Sequence, residues 1–461
     1  MNAEPVAMSP ELSNPERNAP AGVDVVLGLG ITGLSCARYL VAHGRDVLVL
    51  DSRKRPPGIR AIVQRAPGAR VRAGSLDVEL PADAARVIVS PGLSLELPIV
   101  AAARDRGLEV IGDIELFARA APRPVLGVTG SNGKSTVTTM LAAMAEETGL
   151  RVLAGGNLGV PALDLLSEAE PDVYVLELSS FQLECTRSLH CAAAAVLNLS
   201  ADHIDRHGTI EAYAGAKARI YQRADHRVFN RDDPIVRQMV GDDPTAVSFG
   251  LDAPREGQFG LLADREDRPW LAHGHLRLMP ADELRLPGRH NAANALAALA
   301  LGAAADWPVA PMLEALRRYR GLPHRMRRVC ERRGIVWIND SKATNVGAAV
   351  AAVSGLSGRL VLIAGGDGKG ADFDPLATAL PDRARGVVLI GRDREAIAAV
   401  LEGVCPTVFA DDMDEAVRLA ADIARPGDTV LLSPACASYD MYANYAARGE
   451  AFVQAVGRLD D

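Results

Sequence analysis

The chain has 461 residues, too many for one hydrophobic core and enough for about three domains. Its 48% hydrophobic and 23% charged residues are those of an ordinary globular protein, and a formal net charge of −8 excludes a general affinity for nucleic acid or anionic lipid. An anionic ligand must then be held locally, by loop amides, helix N-termini and individual cations.

The first twenty residues, MNAEPVAMSPELSNPERNAP, are rich in Pro, Glu and Asn and lack the apolar stretch of a signal peptide. They are expected to form a disordered tail. No apolar run reaches the ~18 residues of a membrane span, so no membrane insertion is expected. The six cysteines include no CxxC pair and read as reduced thiols of a cytoplasmic protein.

Residues 23–44, VDVVLGLGITGLSCARYLVAHG, read as strand, glycine turn and helix. Gly28, Gly30 and Gly33 fit GxGxxG, and Asp51 ends the next strand. Three readings fit this pattern: a nicotinamide dehydrogenase, a turn that simply requires glycine, or a site for another nucleotide diphosphate with Asp51 or Arg53 on its base or sugar. A second phosphate loop in the same chain weakens the first reading, because hydride transfer has no need of one.

That second loop lies in residues 124–149, PVLGVTGSNGKSTVTTMLAAMAEETG. The common form GxxxxGK[ST] would place glycine at position 128, where this chain has Val128. The amides of Gly130, Ser131, Asn132 and Gly133 are still placed to cradle a phosphate at a helix N-terminus. Lys134 would reach the β- and γ-phosphates of ATP, and Ser135 or Thr136 would ligate Mg²⁺.

Glu177 ends the apolar strand PDVYVLE, where an uncompensated carboxylate is costly. A metal ion would resolve that cost, as would an arginine or a helix cap. His203, in NLSADHIDRHG after a third strand, is placed as a second metal ligand or as a structural histidine. Lys217, in AYAGAKARIY, has the apolar helix neighbours Ala214, Ala216, Ala218 and Ile220, and is either a functional lysine or one snorkelling to the surface. Residues 222–286 degrade into short strands and turns and are expected to form an insertion of β-hairpins. LPGRHNAANALAAL then offers Asn291 and Asn294 at a helix start, suited to adenine or ribose. The strand–glycine–helix grammar returns a third time in residues 359–380, RLVLIAGGDGKGADFDPLATAL.

Alternating strands and helices predict parallel sheets with helices on both faces. The expected fold class is α/β with three domains, each a mostly parallel sheet with flanking helices: Rossmann-like N-terminal, P-loop ATPase central and Rossmann-like C-terminal. With joints near Pro122 and Pro323, the expected divisions are a disordered tail over 1–20, a first domain over 21–122, an ATP-binding domain over 123–321 and a last domain over 322–461.

Taken together, TGSNGKST, ELSSFQLE, DHIDRHG followed by AKARIY, GRHNAANALAA, GLPHRM and NDSKATN resemble the Mur ligases of peptidoglycan assembly, from about residue 24 to the end. The unusual loop spacing is the form this family uses. The resemblance implies ATP-driven amide ligation of D-glutamate to UDP-N-acetylmuramoyl-L-alanine through an acyl phosphate. It implies that Gly130 to Thr136 hold the ATP phosphates, and that Asn291, Asn294, Arg325 and Asp340 contact the nucleotide. Ser135, Glu177, His203 and a carbamylated Lys217 would form the sites of two Mg²⁺ ions, with Lys134, His203 and Lys217 as the catalytic group. Gly30, Ile31, Thr32, Asp51, Ser52 and Arg53 would hold the uridine diphosphate, with Ser90 and Asn157 along the muramoyl arm. Thr344, Lys369, Ser438 and Tyr445 would hold the glutamate, although the family often has Phe at the last position. The alternative is another amino-acid ligase of the superfamily; of these, folylpolyglutamate synthase lacks a UDP-binding N-terminal domain, so residues 24 to 120 argue against it. The expected state is a cytoplasmic monomer.

Overall fold

The computed structural model describes Glu16, residues 19–286 and residues 288–459. The expected disordered tail therefore lies almost wholly outside the described residues. Glu16 is buried and paired with Arg86.

Three sheets carry the chain. The first comprises β1 (Val23–Leu27), β2 (Asp46–Asp51), β3 (Arg70–Ala73), β4 (Ala84–Val89) and β5 (Glu109–Ile111), in the order β3-β2-β1-β4-β5 with every pair parallel. The second has nine strands: β6 (Val125–Thr129), β7 (Val152–Gly156), β8 (Val173–Glu177), β9 (Cys191–Val196), β10 (Ala224–Asn230), β11 (Val247–Phe249), β12 (Phe259–Ala263), β13 (Pro269–His273) and β14 (Leu276–Pro280). Their order is β14-β13-β12-β11-β10-β9-β6-β8-β7. The third is β15 (Arg327–Arg332), β16 (Ile335–Asn339), β17 (Leu360–Gly365), β18 (Ala384–Ile390), β19 (Thr407–Phe409) and β20 (Thr429–Leu432), ordered β15-β16-β20-β17-β18-β19. Only its edge strand β15 is antiparallel.

The apolar runs follow from burial on two faces. In β17, Leu360, Leu362 and Ala364 enter one core cluster while Val361 and Ile363 enter another, and Val387/Leu389 and Val388/Ile390 of β18 divide the same way. Side chains of period two thus feed two helix-covered cores from one strand. This is the expected α/β fold of three domains with mostly parallel sheets and flanking helices. The region expected to be a hairpin insertion instead extends the central sheet. β10, β11 and β12 pair in parallel, and the antiparallel strands β13 and β14 follow.

By compactness the chain forms two units. One is Met1–Gly127, Arg151–Ala192 and Ala216–Asp225; the other is Val128–Leu150, Ala193–Gly215 and His226–Asp461. Among the described residues no helix is long and apolar enough to cross a membrane.

Candidate functional site

In the first unit, β1 runs through the Gly28–Gly33 turn into the helix Ile31–Ala42. The glycines have different duties. A Cβ on Gly33 would lie 1.8 Å from the Gly28 carbonyl oxygen, so helix and strand can meet only with glycine there. A Cβ on Gly30 would meet nothing within 4 Å, so that glycine leaves room beside the turn. The space belongs to a cavity of 390 Å³ lined by all eight expected uridine-substrate residues: Gly30, Ile31, Thr32, Asp51, Ser52, Arg53, Ser90 and Asn157.

Asp51 is buried, and its oxygens accept from the Leu29 amide at 2.7 Å and from Arg53 Nε and Nη2 at 2.9 and 2.6 Å. The Arg53 hydrogen bonds, helped by the loop amides, hold its carboxyl down at about 2. Asp51 thus braces the turn, and the half-exposed Arg53 is the more accessible member of the pair. Gln182, not singled out from the sequence, lines the same cavity. Its side chain closes a capping box with Ser179 and donates to Asp113.

Glu177 ends β8 as expected, and is 3% exposed. Oε1 accepts from Asn157 Nδ2 at 2.6 Å, which brings two expected site residues together. Oε2 is buried without a hydrogen-bond partner among the described residues. A buried carboxylate oxygen in that condition fits a divalent cation. Lys217 lies on the helix Ile210–Ala218 and is 1% exposed, so it does not snorkel to the surface.

In the second unit, Gly130 and Gly133 take φ values of 150° and 83° to turn the loop after β6 into the helix Lys134–Glu147. Lys134 Nζ donates to the Gly130 and Ser131 carbonyls, both at 2.8 Å. The segment 198–200 braces the loop: Asn198 Oδ1 accepts from the Asn132 amide at 2.8 Å, and the Ser200 amide donates to Ser131 Oγ at 3.0 Å.

A cavity of 380 Å³ opens beside the loop and is lined by Asn132, Gly133, Thr136, Asn291, Asn294, Arg325 and Asp340 among others. Asn294 packs so closely that a Cβ on Gly133 would lie 2.4 Å from its Oδ1. Arg325 Nη2 reaches Ser135 Oγ at 2.9 Å. Asp340 accepts from Ser433 Oγ and the Met326 amide, yet burial raises its carboxyl to about 7.

Asn345 closes NDSKATN and was not assigned from the sequence. Its Oδ1 caps the helix Val346–Gly355, while Nδ2 donates to Asn132 Oδ1 at 3.2 Å and Asp202 Oδ2 at 3.1 Å. His203 has a left-handed conformation, φ 56°, at the start of the helix Ile204–His207. Of the expected glutamate residues, Lys369 also has a left-handed backbone, φ 54°, and its Nζ stands 3.9 Å from Asp202 Oδ1. Such backbone costs on the order of 1 kcal/mol and tends to be retained where function requires it. Ser438 is buried, Thr344 is half-buried, and Tyr445 begins the helix Tyr445–Gly457 with Lys342 Nζ 3.9 Å from its ring centre.

Family models match in the same order as the sheets. The N-terminal domain of MurD-like Mur ligases matches residues 23–112, the Mur ligase middle domain 128–302, and the Mur ligase glutamate ligase domain 324–436. A UDP-N-acetylmuramoylalanine–D-glutamate ligase of Nitrosococcus oceani is 53% identical over 97% of this chain and 99% of its own. The enzyme of that name in Pseudomonas aeruginosa is 48% identical over 94% of this chain and 98% of its own. Among solved structures, the UDP-N-acetylmuramate-alanine ligase MurC of Thermotoga maritima superposes with a TM-score of 0.59 at 21% identity. That match covers 95% of this chain and 99% of that one, a likeness of fold.

Proposed function

The chain belongs to the Mur ligase family, and we propose that it joins D-glutamate to UDP-N-acetylmuramoyl-L-alanine with conversion of ATP to ADP and phosphate. The structural observation that carries the reading is the loop cavity of the second unit. There the Asn294 amide packs on Gly133 and the Arg325 guanidinium bonds Ser135, beside amides suited to phosphate. In this reading Asn291 and Asn294 take the adenosine, and Arg325 and Asp340 complete the nucleotide site. The cavity at Gly30, Asp51 to Arg53, Ser90 and Asn157 takes the nucleotide sugar, and Thr344, Lys369, Ser438 and Tyr445 take the amino acid. In the same reading the domains divide as 21–122 for the nucleotide sugar, 123–321 for ATP and 322–461 for the amino acid, and the protein is a cytoplasmic monomer.

The chemistry follows from charge. The alanyl carboxylate attacks the γ-phosphorus of ATP, giving an acyl phosphate and ADP. The amine of glutamate then adds to the acyl carbon and phosphate departs. The first step brings two anions together, so Lys134 and Arg325 must offset their repulsion. Ser135, Glu177, His203 and carbamylated Lys217 would hold two Mg²⁺ ions, and the orphaned Glu177 Oε2 fits such a role. When bound, Mg²⁺ would supply further neutralisation of phosphate charge. Carbamylation turns a buried ammonium, which would repel a cation, into an anion that attracts one. Lys217→Ala is accordingly expected to be nearly inactive and partly rescued by a small added carboxylate, whereas Lys217→Arg is not rescued. Normal turnover by Lys217→Ala would remove the carbamate from the mechanism.

The deciding assay is phosphate release with ATP and UDP-N-acetylmuramoyl-L-alanine, run separately with D- and L-glutamate. Release dependent on the D-isomer is expected; release with neither isomer, or equally with both, would overturn the proposal.

A further inference from the structure

Arg448 is 1% exposed, and among the described residues no carboxylate accepts a hydrogen bond from it. Its guanidinium is spent instead on backbone carbonyls and one hydroxyl. Nε donates to Ser341 Oγ at 3.1 Å, and Nη2 to the Ser341 and Cys436 carbonyls at 2.9 and 3.0 Å. Nη1 donates to the Ala437 and Gly365 carbonyls at 3.3 and 3.5 Å. Burial pulls its pKa down to about 10. An arginine kept in that environment needs a reason, because burying a cation is expensive.

The acceptors share a pattern. Ser341 begins the turn that carries Thr344, and its Oγ also donates to the Tyr445 carbonyl at 2.8 Å. Gly365 ends β17 just before the loop that carries Lys369. Ala437 immediately precedes Ser438 and exchanges two backbone hydrogen bonds with Asp367 of that same loop, at 2.8 and 3.0 Å. Tyr445 lies three residues before Arg448, one turn back on its own helix. The fit is tight: a Cβ on Gly366 would come within 3.2 Å of Nη1. Five donors in a rigid planar fork can bind three separate segments at once, which lysine cannot do.

We propose that Arg448 is the positioning residue of the amino-acid pocket, holding in register the four segments that carry Thr344, Lys369, Ser438 and Tyr445. The inference rests on the reading of those four as the glutamate site. Arg448 acts through them and sets the affinity for the incoming amino acid.

The test is steady-state kinetics of the full-length protein carrying Arg448→Lys, with thermal unfolding as the check on folding. Lysine keeps the charge but loses the fork. Its KM for D-glutamate is expected to rise about tenfold or more, while KM for ATP and for the nucleotide sugar stay within about threefold. Ser341→Ala, a milder change that cuts the Nε bond and the link to Tyr445, is expected to shift the same constant by about fivefold. It decides the matter if Arg448→Lys does not fold. An unchanged KM for D-glutamate in the folded variants, or an equal rise in all three constants, overturns the inference alone. Wild-type protein that releases no phosphate with D-glutamate overturns the functional reading, and this inference with it.

Discussion

The two glycines of the first turn separate what a residue does for the fold from what it does for a ligand. Gly33→Ala forces a carbon into the Gly28 carbonyl and is expected to cost about 3 kcal/mol, read as a loss in unfolding free energy. Gly30→Ala meets open space and should leave stability nearly unchanged, yet raise KM for the nucleotide sugar. If both variants lost stability alike, the turn would be purely structural. Asp51 adds a pH test. Its carboxyl is held near 2 by Arg53, below its ordinary value, so its stabilisation is complete above about pH 4 and is lost as pH falls through 2. The stability difference between wild type and Asp51→Asn, followed by denaturant unfolding, should shrink across that window. A constant difference would deny the ion pair its role.

At the scale of elements, helix N-termini organise the loop cavity. The phosphate loop opens the helix Lys134–Glu147, Asn291 and Asn294 lie near the start of Arg289–Ala304, and Asn345 caps Val346–Gly355 while bonding Asn132 of the loop. A cap is worth about 1 kcal/mol, so Asn345→Ala should lower stability by roughly that amount. Its effect on kcat should be larger than the cap alone would give, because the same amide ties the helix to the loop and to Asp202. An Asn345→Asp variant preserves the cap and loses the Nδ2 donors. Wild-type kcat in that variant would show the loop contact to be idle. Asn345 stands inside the motif NDSKATN, but spacing along the chain gives no sign that its amide reaches a loop more than two hundred residues away.

For the whole molecule, the two cavities lie in different compact units, each complete in its own lining residues. Hydrogen exchange should therefore respond separately. UDP is expected to protect the segments around residues 28–33 and 51–53, and an ATP analogue those around 130–136, 291–294 and 325–340. UDP should likewise compete with the nucleotide sugar and not with ATP. Protection of both sets by UDP alone, or inhibition competitive only with ATP, would place the uridine elsewhere.

Local chemistry by itself determined a good deal. Short apolar runs alternating with helical stretches dictated buried parallel strands, and glycines at the two turns dictated backbone that side chains would block. Glu177 had to end a strand because the residues before it are apolar. These are short-range consequences, fixed by sterics and by the cost of burying polar groups. Tertiary structure alone decided the rest. It put the β13–β14 hairpin on the edge of the central sheet, made Asp51 a brace of the turn, and buried Lys217 and Arg448. Side-chain partners such as Arg448 with Gly365, or Asn345 with Asn132, depend on which segments the packed cores bring together. Spacing along the chain does not encode those distances; the three-dimensional packing of apolar faces does.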